Sequence, residues 1–387
     1  MAVYAHINSV PNGSTGRIML EEHNDLLSRG EKSVAFWGRR SPGNGETSFN
    51  FGSSANFFCD VALTYVDGRA GFHSKRQTKK LLDCLDRLEP NVIHLHNLHG
   101  YYLNIEMLFE WIQRHDCNVA WTLHDCWAFT GHCVHFTSIG CERWKHCGDA
   151  TRGCNNSCGL ALDYPPTFCK SASAWNFAQK RRLFTSIPAD RMKLIVPSLW
   201  LKNHIEDSFL SKYAIEVRPN TVDNSLFKPI DSNFRSLHGI GSRFVVMGVA
   251  DPWSERKGLG IFFRLASDLD PSLYSVVLIG LNKKQIKRAP KNVVALPRTD
   301  SVQELAEAYS AADLLLNPSV EETFGMTVAE ANSCGTRALV MRGSACEEAA
   351  SPGMAIVSMD NYSDIKAAIE LEYHNVEGAK SARRLIC

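Results

Sequence analysis

Glu322 and Glu330 stand eight residues apart in the stretch Asn317-Pro318-Ser319-Val320-Glu321-Glu322-Thr323-Phe324-Gly325-Met326-Thr327-Val328-Ala329-Glu330, and their setting decides what two carboxylates can do there. The run 312–317 reads as a short buried strand stopped by Pro318, which has no N–H to give a sheet ladder. Thr323-Phe324-Gly325 predicts a turn. Met326 to Ser333 then carries apolar and small residues at helical spacing, so a helix is expected to begin near Gly325. Free N–H groups and the positive end of the helix dipole make the backbone from Thr323 to Thr327 a cradle for a diphosphate. Glu322 lies just ahead of that helix and Glu330 two turns inside it, so the pair can contact separate hydroxyls of an extended ligand, one on a sugar and one on a ribose. This is the chemistry of a nucleotide-sugar site. The bare spacing also describes a helix with two solvated glutamates.

Arg256 and Lys257 form a second constellation, two adjacent cations in a loop entering a helix after the strand Phe244 to Val249. Cations there are placed to neutralise a leaving diphosphate, and a solvated basic turn is the plain alternative. Near the N-terminus, Val3 to Ile7 predicts a strand, followed by a Gly- and Ser-rich loop through Gly13, Gly16 and Arg17 and a helix from about Arg17 to Ser28. Strand, loop and helix in that order bring backbone N–H groups to a phosphate, or make an ordinary turn. Histidines mark two more strand ends. His94, His96, Asn97 and His99 follow Val92-Ile93, and His124-Asp125 follows Val119 to Leu123. Strand spacing puts His94 and His96 on one face, where they make a metal pair only if an acidic or third ligand joins them. No convincing offset supplies one, so the lining of an acceptor cleft is the favoured reading.

These residues need rigid elements beneath them, and the chain has the length for it. At 387 residues, 44% hydrophobic and 21% charged, it suits two α/β domains of similar size. Alternating strands and helices imply parallel sheets covered on both faces, which bind ligands beyond the carboxyl ends of the strands. The net charge of +1 argues against a nucleic-acid partner. Basic clusters at 75–80, 180–182 and 283–288 read as solvated faces, the first two doubling as candidate contacts with an anionic membrane. No run of about twenty apolar residues and no basic-then-apolar leader is present, so a cytoplasmic protein is expected, peripheral at most to the inner membrane surface.

Seven of the thirteen cysteines, Cys126, Cys133, Cys141, Cys147, Cys154, Cys158 and Cys169, fall within 44 positions of a loop-like stretch rich in Gly and Asn. A structural zinc would order an insertion at about 126–169 that lacks a core of its own. The best set is Cys133, Cys141, Cys154 and Cys158, with Cys147 as substitute for one of them. Reduced, partly buried thiols are the competing reading, and disulfides trail both because of the compartment.

The stretch from Asn317 to Glu330 resembles the E-x7-E element of retaining glycosyltransferases of family 4, and Thr122 to Cys133 looks like the subgroup that builds bacterial surface polysaccharides. Glu216 to Asp223 resembles the Pro-Asn-x-x-Asp element that opens the interdomain linker. The resemblance covers essentially the whole chain and implies the GT-B fold, two Rossmann-like doubly wound α/β domains facing a central cleft. It implies an N-terminal acceptor domain at 1–215, a linker at 216–242, a nucleotide-sugar domain at 243–360, and a last helix at 361–387 that crosses back to the first domain. It assigns Glu322 and His124 to the transferred sugar, Glu330 to the ribose, Arg256 and Lys257 to the phosphates, Arg298 and Thr299 to the base, and Gly16 to the donor-side loop. Two departures stand out. The loop carrying Arg256 runs longer than usual, and Ser344 replaces the second glycine of a Gly-Gly-x-x-Glu turn. The implied activity is transfer from a nucleotide diphosphate sugar, UDP-linked in preference to GDP-linked, to a glycan or lipid-linked acceptor with retention and without a catalytic cofactor. A GT-B epimerase or phosphorylase, and a scaffold that binds nucleotide sugar without turnover, are the alternatives.

Overall fold

The computed structural model describes residues 1–39, 45–147, 149, 152–154, 160–169, 171–319, 321–358 and 361–386. The chain divides into two compact units, Met1–Arg218 and Pro219–Cys387. Each is a fully parallel sheet with helices connecting its strands.

Unit 1 holds β1 (Val3–Asn8), β2 (Lys32–Trp37), β3 (Ser48–Asn50), β4 (Val92–Leu95), β5 (Asn118–Thr122), β6 (Met192–Val196) and β7 (Ala214–Val217), ordered β3-β2-β1-β4-β5-β6-β7. The winding reverses between β1 and β4, and such a reversal opens a crevice at the strands' carboxyl ends. The apolar runs of β1, β4, β5 and β6 are buried because helices cover the sheet. Ile7, Ile93, Leu95, Trp121, Leu194 and Val196 share one core with Leu81, Phe109 and Phe184 from the helices. Helix Gly13–Ser28 begins four residues earlier than the sequence suggests. Gly16 therefore lies inside the first turn, where a Cβ would come 2.4 Å from the carbonyl carbon of Pro11. Close packing accounts for this glycine, whatever else the loop does.

Unit 2 holds β8 (Phe244–Val249), β9 (Tyr274–Ile279), β10 (Val293–Leu296), β11 (Leu314–Asn317), β12 (Arg337–Met341) and β13 (Ala355–Ser358), ordered β10-β9-β8-β11-β12-β13. Its winding reverses between β8 and β11, so the loops after these two strands, 250–258 and 318–325, meet where a ligand belongs. The final helix, Tyr362–Ile386, rests Ile365 and Ile369 in this unit's own core, and Arg337 binds Glu372 at 2.6 Å.

The expected linker at 216–242 is not a free connection. Glu216 and Val217 complete β7, paired with Ile195 and Val196, while Phe227, Phe234 and Ile240 are buried in the core of unit 2. The boundary falls between Arg218 and Pro219. The Cys-rich segment also departs from expectation, because it has access to a core. Trp127, Phe129, Phe136 and Trp144 are buried in it as part of the main cluster of unit 1. Lys180 is 1% exposed, so it belongs to no solvated basic face. Its ammonium donates to the carbonyls of Trp127 at 2.7 Å and Thr130 at 3.1 Å, and burial depresses its pKa to about 7. Among the described residues, no helix is long and apolar enough to cross a membrane.

Candidate active site

The loop after β11 turns at Gly325, whose φ of 98° lies in the left-handed region. A Cβ there would also sit 2.7 Å from Cys346 Sγ, so only glycine fits. This turn starts helix Met326–Ser333 with no side-chain cap, leaving its first N–H groups turned toward the loop. The loop after β8 ends at Gly258, with a φ of 77°, against Pro318 of the neighbouring loop. The sheet's switch point thus brings both expected constellations together. Lys257 Nζ donates to Glu322 Oε1, and Arg256 Nη1 donates to the Glu321 carbonyl at 2.9 Å. The longer loop does not pull Arg256 away from the site.

Glu330 is buried inside the helix, and Tyr309 donates to its Oε2 at 3.3 Å. Burial and this neighbouring carboxylate hold the Tyr309 phenol well above its ordinary pKa, so it remains a donor. Phe324 is buried, whereas Thr323, Met326 and Thr327 are half-buried along the loop and first turn, with Asn317 Nδ2 at 3.4 Å from Thr327 Oγ1. Arg298 follows β10 as an exposed side chain 3.3 Å from Asp251 Oδ2, with Thr299 half-buried beside it. The departure at Ser344 has a local reason. The left-handed position of that turn is Gly343, with φ 72°, whose N–H donates to Glu347, while Ser344 Oγ caps the Met341 carbonyl at 2.7 Å. A second glycine is not required there.

In unit 1, His124 follows β5 and packs against His96, with its Nε2 3.2 Å from His96 Nδ1. Burial lowers its pKa to about 4, so the ring is neutral at physiological pH. Asp125 contacts His99 Nε2 at 2.6 Å and accepts from the Trp127 N–H at 2.8 Å. Burial opposes its ionisation, but these partners outweigh burial and hold its pKa at about 2.

Residues 242–373 match the family model for glycosyl transferases group 1. This stretch contains both switch-point loops of unit 2. Among curated relatives, the chain is 38% identical over 129 residues to the Escherichia coli K12 protein named as a colanic acid biosynthesis glycosyl transferase, WcaC, covering 32% of this chain and 28% of the relative. A second, the α-galactosylglucosyldiacylglycerol synthase of Streptococcus pneumoniae, is 32% identical over 132 residues, covering 30% of this chain and 34% of that one. The chain therefore spans about a third of the length of these relatives. The fold is shared end to end with the sucrose-phosphate synthase of Thermosynechococcus elongatus, at TM-score 0.67 and 15% identity over 96% of this chain and 89% of that one. These comparisons and the two parallel sheets give the chain the architecture of the GT-B glycosyltransferases.

Of the expected zinc ligands, Cys133, Cys141 and Cys154 converge, and Cys158 lies outside the described residues. The further thiol at this place is Cys147, and these four line a small cavity with Thr130, His132, Phe136 and Trp144. Hydrogen bonding to Cys154, then burial, raises the Cys147 thiol far above its usual pKa. A metal ion would replace that shared proton, although no three of these thiols are gathered within 4.8 Å of one another as a bound zinc would hold them.

Sequence reading missed the surroundings of the histidines. His6 of β1 and His94 of β4 are register partners at the switch point of unit 1, and His96 follows two residues on, on the same face. Helix Gly13–Ser28 lays Glu22 over them, with Glu22 Oε2 3.1 Å from His94 Nδ1 and 3.6 Å from His96 Nε2. Burial raises the Glu22 pKa to about 7 although Arg218 lies 3.3 Å from its other oxygen. Burial also keeps all three rings neutral, lowering His6 to about 3 and His94 and His96 well below the ordinary histidine value. The helical periodicity that faces Glu22 toward the sheet was visible in the sequence, but the pairing of β1 with β4 was not.

Proposed function

We propose that the chain is a retaining glycosyltransferase that moves a sugar from a nucleotide diphosphate sugar, UDP-linked in preference to GDP-linked, to a glycan or lipid-linked acceptor in bacterial polysaccharide synthesis. The observation that carries this reading is the contact of Lys257 with Glu322 at the switch point of unit 2, beside the uncapped helix at Gly325. As the bond to the anomeric carbon breaks, negative charge gathers on the departing diphosphate. Lys257, Arg256 and the first N–H groups of helix Met326–Ser333 are preorganised to stabilise it. Glu322 is then released to the sugar hydroxyls, while Glu330, held by Tyr309, takes the ribose. His124, neutral and at a strand end, serves the transferred sugar as the family resemblance implies. No carboxylate is placed as a nucleophile in this reading, so the leaving phosphate accepts the acceptor's proton on the same face.

The colanic acid relative supports a polysaccharide acceptor, and the fold neighbour HepE of Anabaena, solved with UDP and glucose at 14% identity and TM-score 0.58 over 96% of this chain and 89% of that one, favours UDP. Phe58 and Val66 on helix Ser54–Asp67 are exposed, as is Phe168 against Tyr65, and the next helix opens with Lys75 and Arg76. Apolar side chains beside cations favour peripheral contact with an anionic cytoplasmic membrane face, which suits a lipid-linked acceptor.

The test is product analysis. Purified protein is incubated with UDP- and GDP-sugars and a panel of glycan acceptors, and the anomeric configuration of the product is read by NMR. Transfer with retention is expected. An inverted product, or epimerised or hydrolysed donor with no transfer, overturns the reading.

A further inference from the structure

We propose that His6, Glu22, His94 and His96 form a binding site for one divalent transition-metal ion, zinc foremost, inside unit 1. The inference stands apart from the sugar-transfer reading and from the cysteine cluster. Among the described residues, these are the side chains whose ligand atoms all lie within 4.8 Å of one another. Metal–nitrogen and metal–oxygen bonds of about 2.0–2.1 Å meeting tetrahedrally place ligand atoms about 3.3 Å apart. The distances from Glu22 Oε2 to His94 Nδ1 and His96 Nε2, 3.1 and 3.6 Å, bracket that edge.

Three of the four side chains offer the ion an atom left without a hydrogen bond. Both nitrogens of His6, Oε2 of Glu22 and Nε2 of His96 are buried and make none, and His6 and His96 are 0% and 1% exposed. A buried polar atom left unsatisfied carries the full desolvation cost of that group. Several converging on one point call for an occupant, and a cation answers the buried carboxylate as well as the lone pairs. Three imidazoles and one carboxylate are borderline ligands that suit zinc, cobalt or nickel rather than calcium or magnesium.

The outer contacts fit the same assignment. Nε2 of His94 lies 2.8 Å from Thr122 Oγ1, and Nδ1 of His96 lies 3.2 Å from His124 Nε2. Metal-bound histidines hold their second nitrogen in this way, which fixes the tautomer. With its Nε2 on the metal, His96 would keep its proton on Nδ1 and donate it to His124, so the ion would position His124 without touching it.

Cobalt titration of chelator-stripped full-length protein tests the site, because cobalt bound by nitrogen and oxygen gives visible d–d bands without the sulfur charge-transfer band that thiolates add. Cys147→Ser removes a thiol from the other cluster and should leave one equivalent of cobalt with nitrogen and oxygen character. His6→Phe and Glu22→Gln should each weaken that equivalent at least about tenfold, and the Phe variant fills the space of the lost ring. Should His6→Phe fail to fold, Glu22→Gln decides, since it changes one atom. Absence of the sulfur-free spectrum in Cys147→Ser protein, or affinity unchanged in a folded His6→Phe or Glu22→Gln variant, overturns the site.

Discussion

Lys257 and Glu322 hold each other at the proposed donor site, so each has a partner to give up when a diphosphate and a sugar arrive. The exchange keeps the cation aimed and spares it reorganisation during bond breaking. Lys257→Ala is therefore expected to lower kcat by about a hundredfold or more, the scale for losing one preorganised charge stabiliser. Single-turnover rates on the true donor check this, and a wild-type rate removes Lys257 from the mechanism. Asp125 bears on stability rather than turnover. Its folded pKa of about 2 lies below the ordinary value of 3.8, so its contribution is complete above pH 4 and is lost as pH falls through 2. The shift corresponds to about 2 kcal/mol. Denaturant midpoints of wild-type protein should fall toward those of Asp125→Asn across that window, and parallel pH curves would refute the assignment.

At the scale of elements, the turn into helix Met326–Ser333 and the Cys-rich segment each rest on one local device. Gly325→Ala meets both a left-handed backbone and the Cys346 sulfur, so a loss of about 2 kcal/mol or more is expected, with weakened donor binding because the helix N-terminus shifts. Thermal melts and donor titration of this variant check both. For the Cys-rich segment, zinc-loaded protein should show sulfur neighbours near 2.3 Å in X-ray absorption. Cys147→Ser should lose them and melt at lower temperature while its donor affinity stays unchanged, since the donor residues belong to unit 2. Free reaction of Cys133 and Cys147 with a thiol probe in fully folded, fully active protein would instead make these cysteines reduced packing residues.

For the whole molecule, the assignment of the donor to unit 2 predicts where binding is felt. A ligand that binds only the folded state raises apparent stability, by about 2.7 kcal/mol at a hundred times Kd. Among nucleotide sugars, the true donor should raise Tm most, and hydrogen exchange with it bound should slow chiefly at 254–258 and 318–330. Protection confined to unit 1 would mean that the donor site is misassigned.

The sequence by itself determined β8 to the residue and the span of helix Met326–Ser333, and it placed β11 within two residues of its start, because apolar runs bounded by Pro and Gly leave the backbone few choices. It also put forward Glu322, Glu330, Arg256, Lys257 and His124 as candidates, since polar residues at strand ends and helix entrances stand out in local order. Partners brought together by strand order lay beyond it. Lys257 and Glu322 are 65 residues apart and meet only because β8 and β11 are neighbours, and His6 and His94 meet only because β1 pairs with β4. The same holds for Val217 in β7 and Lys180 in the core, whose neighbours are chosen by packing rather than by adjacent residues. Local propensity fixes where an element starts, whereas long-range burial fixes what it touches, and in this chain the proposed metal ligands, the ion pair and the domain boundary are all of the second kind.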